Sequence, residues 1–228
     1  MASANGGAAD SLLRLLLLAS LACFTRVSGA IYTYTSTRLP AQELMFRRAG
    51  MYAPADAPHT GPPGYGRSSI KIDLRLTRES DHTVAYDAAL PTELEVLVFD
   101  APHFSRIGWV PKAGAPKVYC CSAAAIAAGV CATPNTLIVQ PDRRPKLGKF
   151  GLRVKSISNW RVTIPAGGKV VRVRQQRDVK VSGLYYVMFA SCNPASGATA
   201  IAGSTEWLNP YGYLPGDLYV RSLLAAYS

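Results

Sequence analysis

The stretch whose reading decides the fold is Gly183 to Gly216, GLYYVMFASCNPASGATAIAGSTEWLNPYGYLPG. It opens on an unbroken apolar run, Leu184-Tyr185-Tyr186-Val187-Met188-Phe189-Ala190, which is halted after Cys192 by Asn193-Pro194. A short run rich in aromatics and stopped by a turn dipeptide reads as a central strand buried on both faces. A Pro/Ser/Gly turn follows, and Thr199 to Trp207 reads as a second strand. Asn209-Pro210-Tyr211-Gly212-Tyr213-Leu214-Pro215-Gly216 then leaves regular structure, because its prolines lack the N–H that a ladder needs.

Working back from this segment, the rest of the chain has the same grain. Ile70, Ile72, Leu74 and Leu76 alternate with Lys71, Asp73, Arg75 and Thr77. That is a strand with one face on the core and one in water. Ile31 to Thr37 and Leu94 to Phe99 read as strands, and Ile107 to Val110, Leu137 to Val139 and Gly151 to Val154 as short ones. Gln42 to Arg48 carries no decisive period. Trp160 to Ile164 and Lys169 to Arg174 flank Pro165-Ala166-Gly167-Gly168 and read as a hairpin. Residues 49–66 form a Pro/Gly-rich loop. The one helix candidate is Ser122 to Gly129, with Ser122 as N-cap and Gly129 as the stop. Many short strands between Pro/Gly turns, with hardly any helix, mean an all-β sandwich or barrel.

The 228 residues carry a formal net charge of +11 and are 49% hydrophobic, a globular composition whose length allows one domain or two small ones. The basic residues alternate with apolar ones along the strands and read chiefly as solvated sheet faces. No zinc-finger spacing, paired helices or RNP-type motif points to nucleic acid. The first thirty residues hold a leucine-rich core, Leu12 to Phe24, then Val27-Ser28-Gly29-Ala30 with small residues before the cleavage point. This is a secretory signal peptide; the apolar run is too short for a membrane anchor.

After its removal four cysteines remain: Cys120, Cys121, Cys131 and Cys192. An even number in an exported domain implies two disulfides. Adjacent cysteines do not pair with each other. Cys120 and Cys121 therefore take different partners, one Cys131 and one Cys192, in an order the sequence leaves open. A four-thiolate zinc site lacks its paired CxxC knuckles.

Catalytic hardware does not stand out. His59, His82 and His103 sit in turn contexts without ligand partners at helical or hairpin spacing. There is no GxSxG elbow, P-loop or HExxH. Asp73, Glu206 and Asp217 form no recognisable acid/base pair. The expectation is a non-enzyme with no cofactor and no metal.

Two places carry a resemblance. One is Cys120-Cys121 with Cys131 after an Ala-rich segment. The other combines Cys192-Asn193-Pro194, Trp207, Asn209-Pro210 and Gly212-Tyr213-Leu214-Pro215-Gly216. Together they resemble the lumenal domain of the GOST family, the Golgi-localised seven-transmembrane proteins, in its branch related to transmembrane protein 87. The resemblance implies a GOLD-like lumenal β-sandwich over residues 31–216, disulfide-stabilised, with one short helix. It also implies attachment to Golgi or endosomal membranes and a part in trafficking and cargo sorting. In that family a YLPG-like segment leads into the first membrane helix, whereas residues 217–228 read differently here. The alternative is a freestanding secreted basic domain that binds acidic glycans or other anionic ligands. Tyr211 and Tyr213 are candidates for an exposed ligand platform.

Overall fold

A computed structural model describes residues 31–56, 66–79, 91–141, 157–167 and 169–210. Its strands are β1 (Ile31–Leu39), β2 (Leu44–Met51), β3 (Ser69–Glu79), β4 (Thr92–Asp100), β5 (Ile157–Ile164), β6 (Val171–Asp178), β7 (Gly183–Ala190) and β8 (Ala198–Leu208). They form two antiparallel four-stranded sheets, one ordered β1-β8-β3-β6 and the other β2-β7-β4-β5. The protein is an all-β sandwich with the connectivity of an eight-stranded jelly roll. One ribbon pairs first strand with last and doubles back on itself, so successive strands mostly change sheet.

The strand assignments follow from period. In β3 the inward Ile70, Ile72, Leu74 and Leu76 are buried, and Lys71 and Arg75 are exposed. β7 lies inside its sheet between β2 and β4, as its apolar run requires. β1 changes parity midway. Its register slips between Tyr34 and Thr37, with Ser36 at φ 59°, a bulge that turns both Tyr34 and Leu39 inward. The core between the sheets is built on Leu94, Val96, Val98, Val187, Phe189, Ile201 and Trp207 with the β3 row.

A second apolar layer covers the other face of β4 and β7. Leu97, Phe99 and Met188 point away from the first core and pack on Ile107, Leu137 and Cys192. The connection from β4 to β5 lies over this face, which is why β4 is buried on both sides. Within it, a 3-10 turn spans Ala101–Arg106 and helix α1 spans Ala123–Ala127. Ser122 caps α1 by accepting from Ala125 N at 3.3 Å, and Gly129 follows with φ 68°. Glu95 anchors the connection from below. Its buried carboxylate accepts from Leu137 N at 2.9 Å, Asn159 Nδ2 at 3.0 Å and Arg161 Nη2 at 3.2 Å.

Several readings change. The expected hairpin across residues 165–168 is not one: β5 pairs only with β4 and β6 only with β3, in opposite sheets. Alternation is a local property and does not say which sheet a strand joins. Neither Ile107 to Val110 nor Leu137 to Val139 is a strand; they make isolated bridges, Ile107 to Val139, Trp109 to Val118 and Cys120 to Leu137. The unassigned Gln42 to Arg48 falls largely in β2, which runs on to Met51, so the first three residues of the loop expected over residues 49–66 are strand. The expected strand at Gly151 to Val154, and His59 and His82, lie outside the described residues.

Candidate binding groove

The motif residues turn out to be structural joints. Cys120 bonds Cys192 and Cys121 bonds Cys131, with Cα separations of 5.3 and 6.1 Å. The first bond ties the β4–β5 connection to the exit of β7; the second clips α1. Asn193 Oδ1 accepts from Ala195 N at 3.0 Å and caps the 3-10 turn that Pro194 begins. Trp207 is fully buried, edge-on to Tyr32 at 6.0 Å, and donates from Nε1 to Thr205 Oγ1 at 3.3 Å. Asn209 is fully buried too. Its Oδ1 accepts from Tyr52 N at 2.8 Å and its Nδ2 donates to Gly50 O at 3.4 Å, stapling the end of β8 to β2. Pro210 is buried behind it. Tyr211, Gly212, Tyr213, Leu214, Pro215, Gly216 and Asp217 lie outside the described residues.

A concave feature lies elsewhere. β5 and β6 are edge strands of opposite sheets, and the trough between them encloses about 520 Å³. Val162 and Val173 supply its apolar surface and Gln175 and Thr163 its neutral polar groups. Arg161 stands on the β5 side and Arg172 and Arg174 on the β6 side. Further toward the core, Arg177 reaches across from β6 to donate to Val98 O, with its guanidinium 5.8 Å from the Tyr185 ring centroid. Burial pushes the Arg177 pKa down and that of the Tyr185 hydroxyl up.

The β6 wall is continuous with the outer face of β3. In register, Asp73 faces Arg174, Arg75 faces Arg172 and Lys71 faces Gln176. Lys71, Arg75, Arg172 and Arg174 thus surround one carboxylate. Asp73 accepts a fork from Arg172, Nε at 3.0 Å and Nη2 at 2.9 Å, and a bond from Arg174 Nε at 3.3 Å. The hydrogen bond from Arg172 leads in holding the Asp73 carboxyl below the ordinary aspartate value, and the same bond raises the Arg172 pKa. On β8, Glu206 stands opposite Lys71. Arg161 lies 3.2 Å from Glu95 and 3.9 Å from Glu93.

The sequence reading took these arginines for ordinary solvated sheet positions. Their i, i+2 spacing on β6 is visible in the sequence, but their meeting with Arg161 depends on how two sheets stack. Among the described residues no three His, Cys, Asp or Glu side chains converge to hold a metal. His103 contacts the Asp100 carboxylate within the 3-10 turn. No described helix is long and apolar enough to cross a membrane. No family model matches the chain, and no curated protein matches it. What the fold and the groove define is a class: a disulfide-linked jelly-roll sandwich with a cation-rimmed trough between its edge strands.

Proposed function

We propose that this chain is an exported, non-catalytic binding domain, the lumenal module of a Golgi or endosomal trafficking protein of the GOST kind. The observation that carries the reading is the bond between Cys120 and Cys192. It covalently joins the two stretches on which the resemblance rests, so they are parts of one structural unit. Two disulfides also suit an oxidising lumen better than the cytosol. In the family form, membrane helices would follow and the domain would face the lumen. A freestanding secreted binding protein is the second reading, favoured by the four cations around Asp73.

The test is expression in a eukaryotic cell with a C-terminal epitope tag. The expected product begins at Ile31, runs faster on a non-reducing gel than after reduction, and co-localises with a Golgi marker or appears in the medium. A cytosolic product that keeps residues 1–30 and reduced cysteines overturns the proposal.

A further inference from the structure

We infer that the trough between β5 and β6, with the adjoining outer face of β3, binds a carboxylated polysaccharide chain. The inference rests on the exported reading, since such a polymer is met outside the cytosol. It starts from a conflict within the sheet. Arg75 and Arg172 are direct partners across β3 and β6, and like charges so placed weaken a strand pair. With Lys71 and Arg174 the face carries four cations against two carboxylates, Glu206 opposite Lys71 and Asp73 shared by two guanidiniums. An arrangement unfavourable for the sheet alone is favourable for an incoming anion.

The chemistry of the trough selects among anions. Asp73 shows that Arg172 takes a carboxylate in the planar two-point fork. Val162, half-buried, offers apolar contact for the C–H face of a sugar ring, and Gln175 and Thr163 offer partners for hydroxyls. The trough is shallow and open along its sides, which lets a polymer run through. Among the described residues no aromatic side chain lines the trough, whereas single-stranded nucleic acids are held by stacking on aromatics.

The experiment uses the secreted, disulfide-linked chain and a fluorescent oligogalacturonate, read by anisotropy at low and moderate salt. Binding is expected, weaker at higher salt, and lost when the uronates are methyl-esterified. R172Q with R174Q is expected to weaken binding by about tenfold or more, as for loss of charge-assisted hydrogen bonds. R48Q with K112Q, both remote from the trough, is expected to leave it unchanged. D73N gives the opposite sign: releasing Arg172 and Arg174 from their own carboxylate tightens binding severalfold, which a misfolded variant cannot imitate. Absence of binding, equal losses in the groove and remote variants, or D73N binding no tighter overturns the inference. So does equal affinity for single-stranded nucleic acid or anionic vesicles. The two proposals fail separately. A Golgi-localised chain that ignores oligogalacturonate removes only the groove inference. A cytosolic chain that binds it in vitro removes the exported reading.

Discussion

Glu95 shows how one residue can anchor a connection to the sheet beneath it. It occupies an outward position of a strand whose neighbours on that face, Leu97 and Phe99, are apolar. Its carboxylate is buried, and three donors complete it, one of them the backbone of Leu137 in the β4–β5 connection. Truncation leaves those donors facing a void. We predict that Glu95→Ala costs about 3 kcal/mol, in the range for breaking a buried charged network, while Glu95→Gln costs less. Urea unfolding measures both, and a Gln variant as costly as Ala would mean that the negative charge carries the whole effect and that the side chain's packing and remaining hydrogen bonds add nothing. Gly203 is the other such residue. It lies in the middle of β8 at φ 122°, and a Cβ there would stand 2.2 Å from the carbonyl oxygen of Asp73. Since β8 cannot retreat from β3 without opening that ladder, Gly203→Ala is expected to destabilise by more than about 2 kcal/mol. A thermal melt within error of the parent would show that the two backbones have room to part.

At the scale of elements, what was legible followed from local period, and what was not followed from stacking. β3 was readable because its outer face meets water, giving strict alternation. β7 was readable as buried on both faces, yet its second cover is the β4–β5 connection, which no pattern in β7 specifies. β2, LMFRRAGM, hid because at an edge its inward positions are only partly apolar. The pair β5 and β6 deceived because a turn between two alternating runs has the same appearance whether the strands pair or part to opposite sheets. The groove was missed for that reason, since Arg161 and Arg174 come to line one trough only through the stacking of the two sheets. The disulfide pairing, left open by the sequence, sorts the cysteines by element. Cys120–Cys192 bridges a separation of 72 residues and Cys121–Cys131 one of 10. The chain-entropy model assigns about 4 kcal/mol to the longer closure and about 3 kcal/mol to the shorter. Replacing Cys120 and Cys192 together by Ala is therefore expected to cost more than replacing Cys121 and Cys131, by denaturant titration. The reverse order would mean that α1 and its clip matter more than the anchorage of the connection to β7.

Across the whole molecule, jelly-roll connectivity sets a folding order. The outermost ribbon pair joins Ile31 to Glu206. The innermost pair joins Phe99 to Ile157, and within the outer pair the side-chain bond between Tyr34 and Thr205 spans 171 residues. Closing the outer pair first costs about 1 kcal/mol more in loop entropy than closing the inner pair first. The inner pair has a further advantage, because β4 also meets β7 and the Cys120–Cys192 bond already holds the β7 exit near the connection. We therefore predict that refolding with disulfides intact protects the amides of β4, β5 and β7 before those of β1 and β8. Dominance of long-range pairs also makes the process slow for a chain of this size. Pulsed hydrogen exchange during refolding reads the order directly. Early protection in β1 would overturn it and place the nucleus on the first and last strands. Acid should not blur the result. Asp73 has its pKa depressed by Arg172, so its contribution is present above the ordinary value of 3.8 and is lost only as pH falls below it. Because the Asp73 side chain is 45% exposed and screened by solvent, that contribution is small, and the order of protection is expected to be the same at mildly acidic and neutral pH.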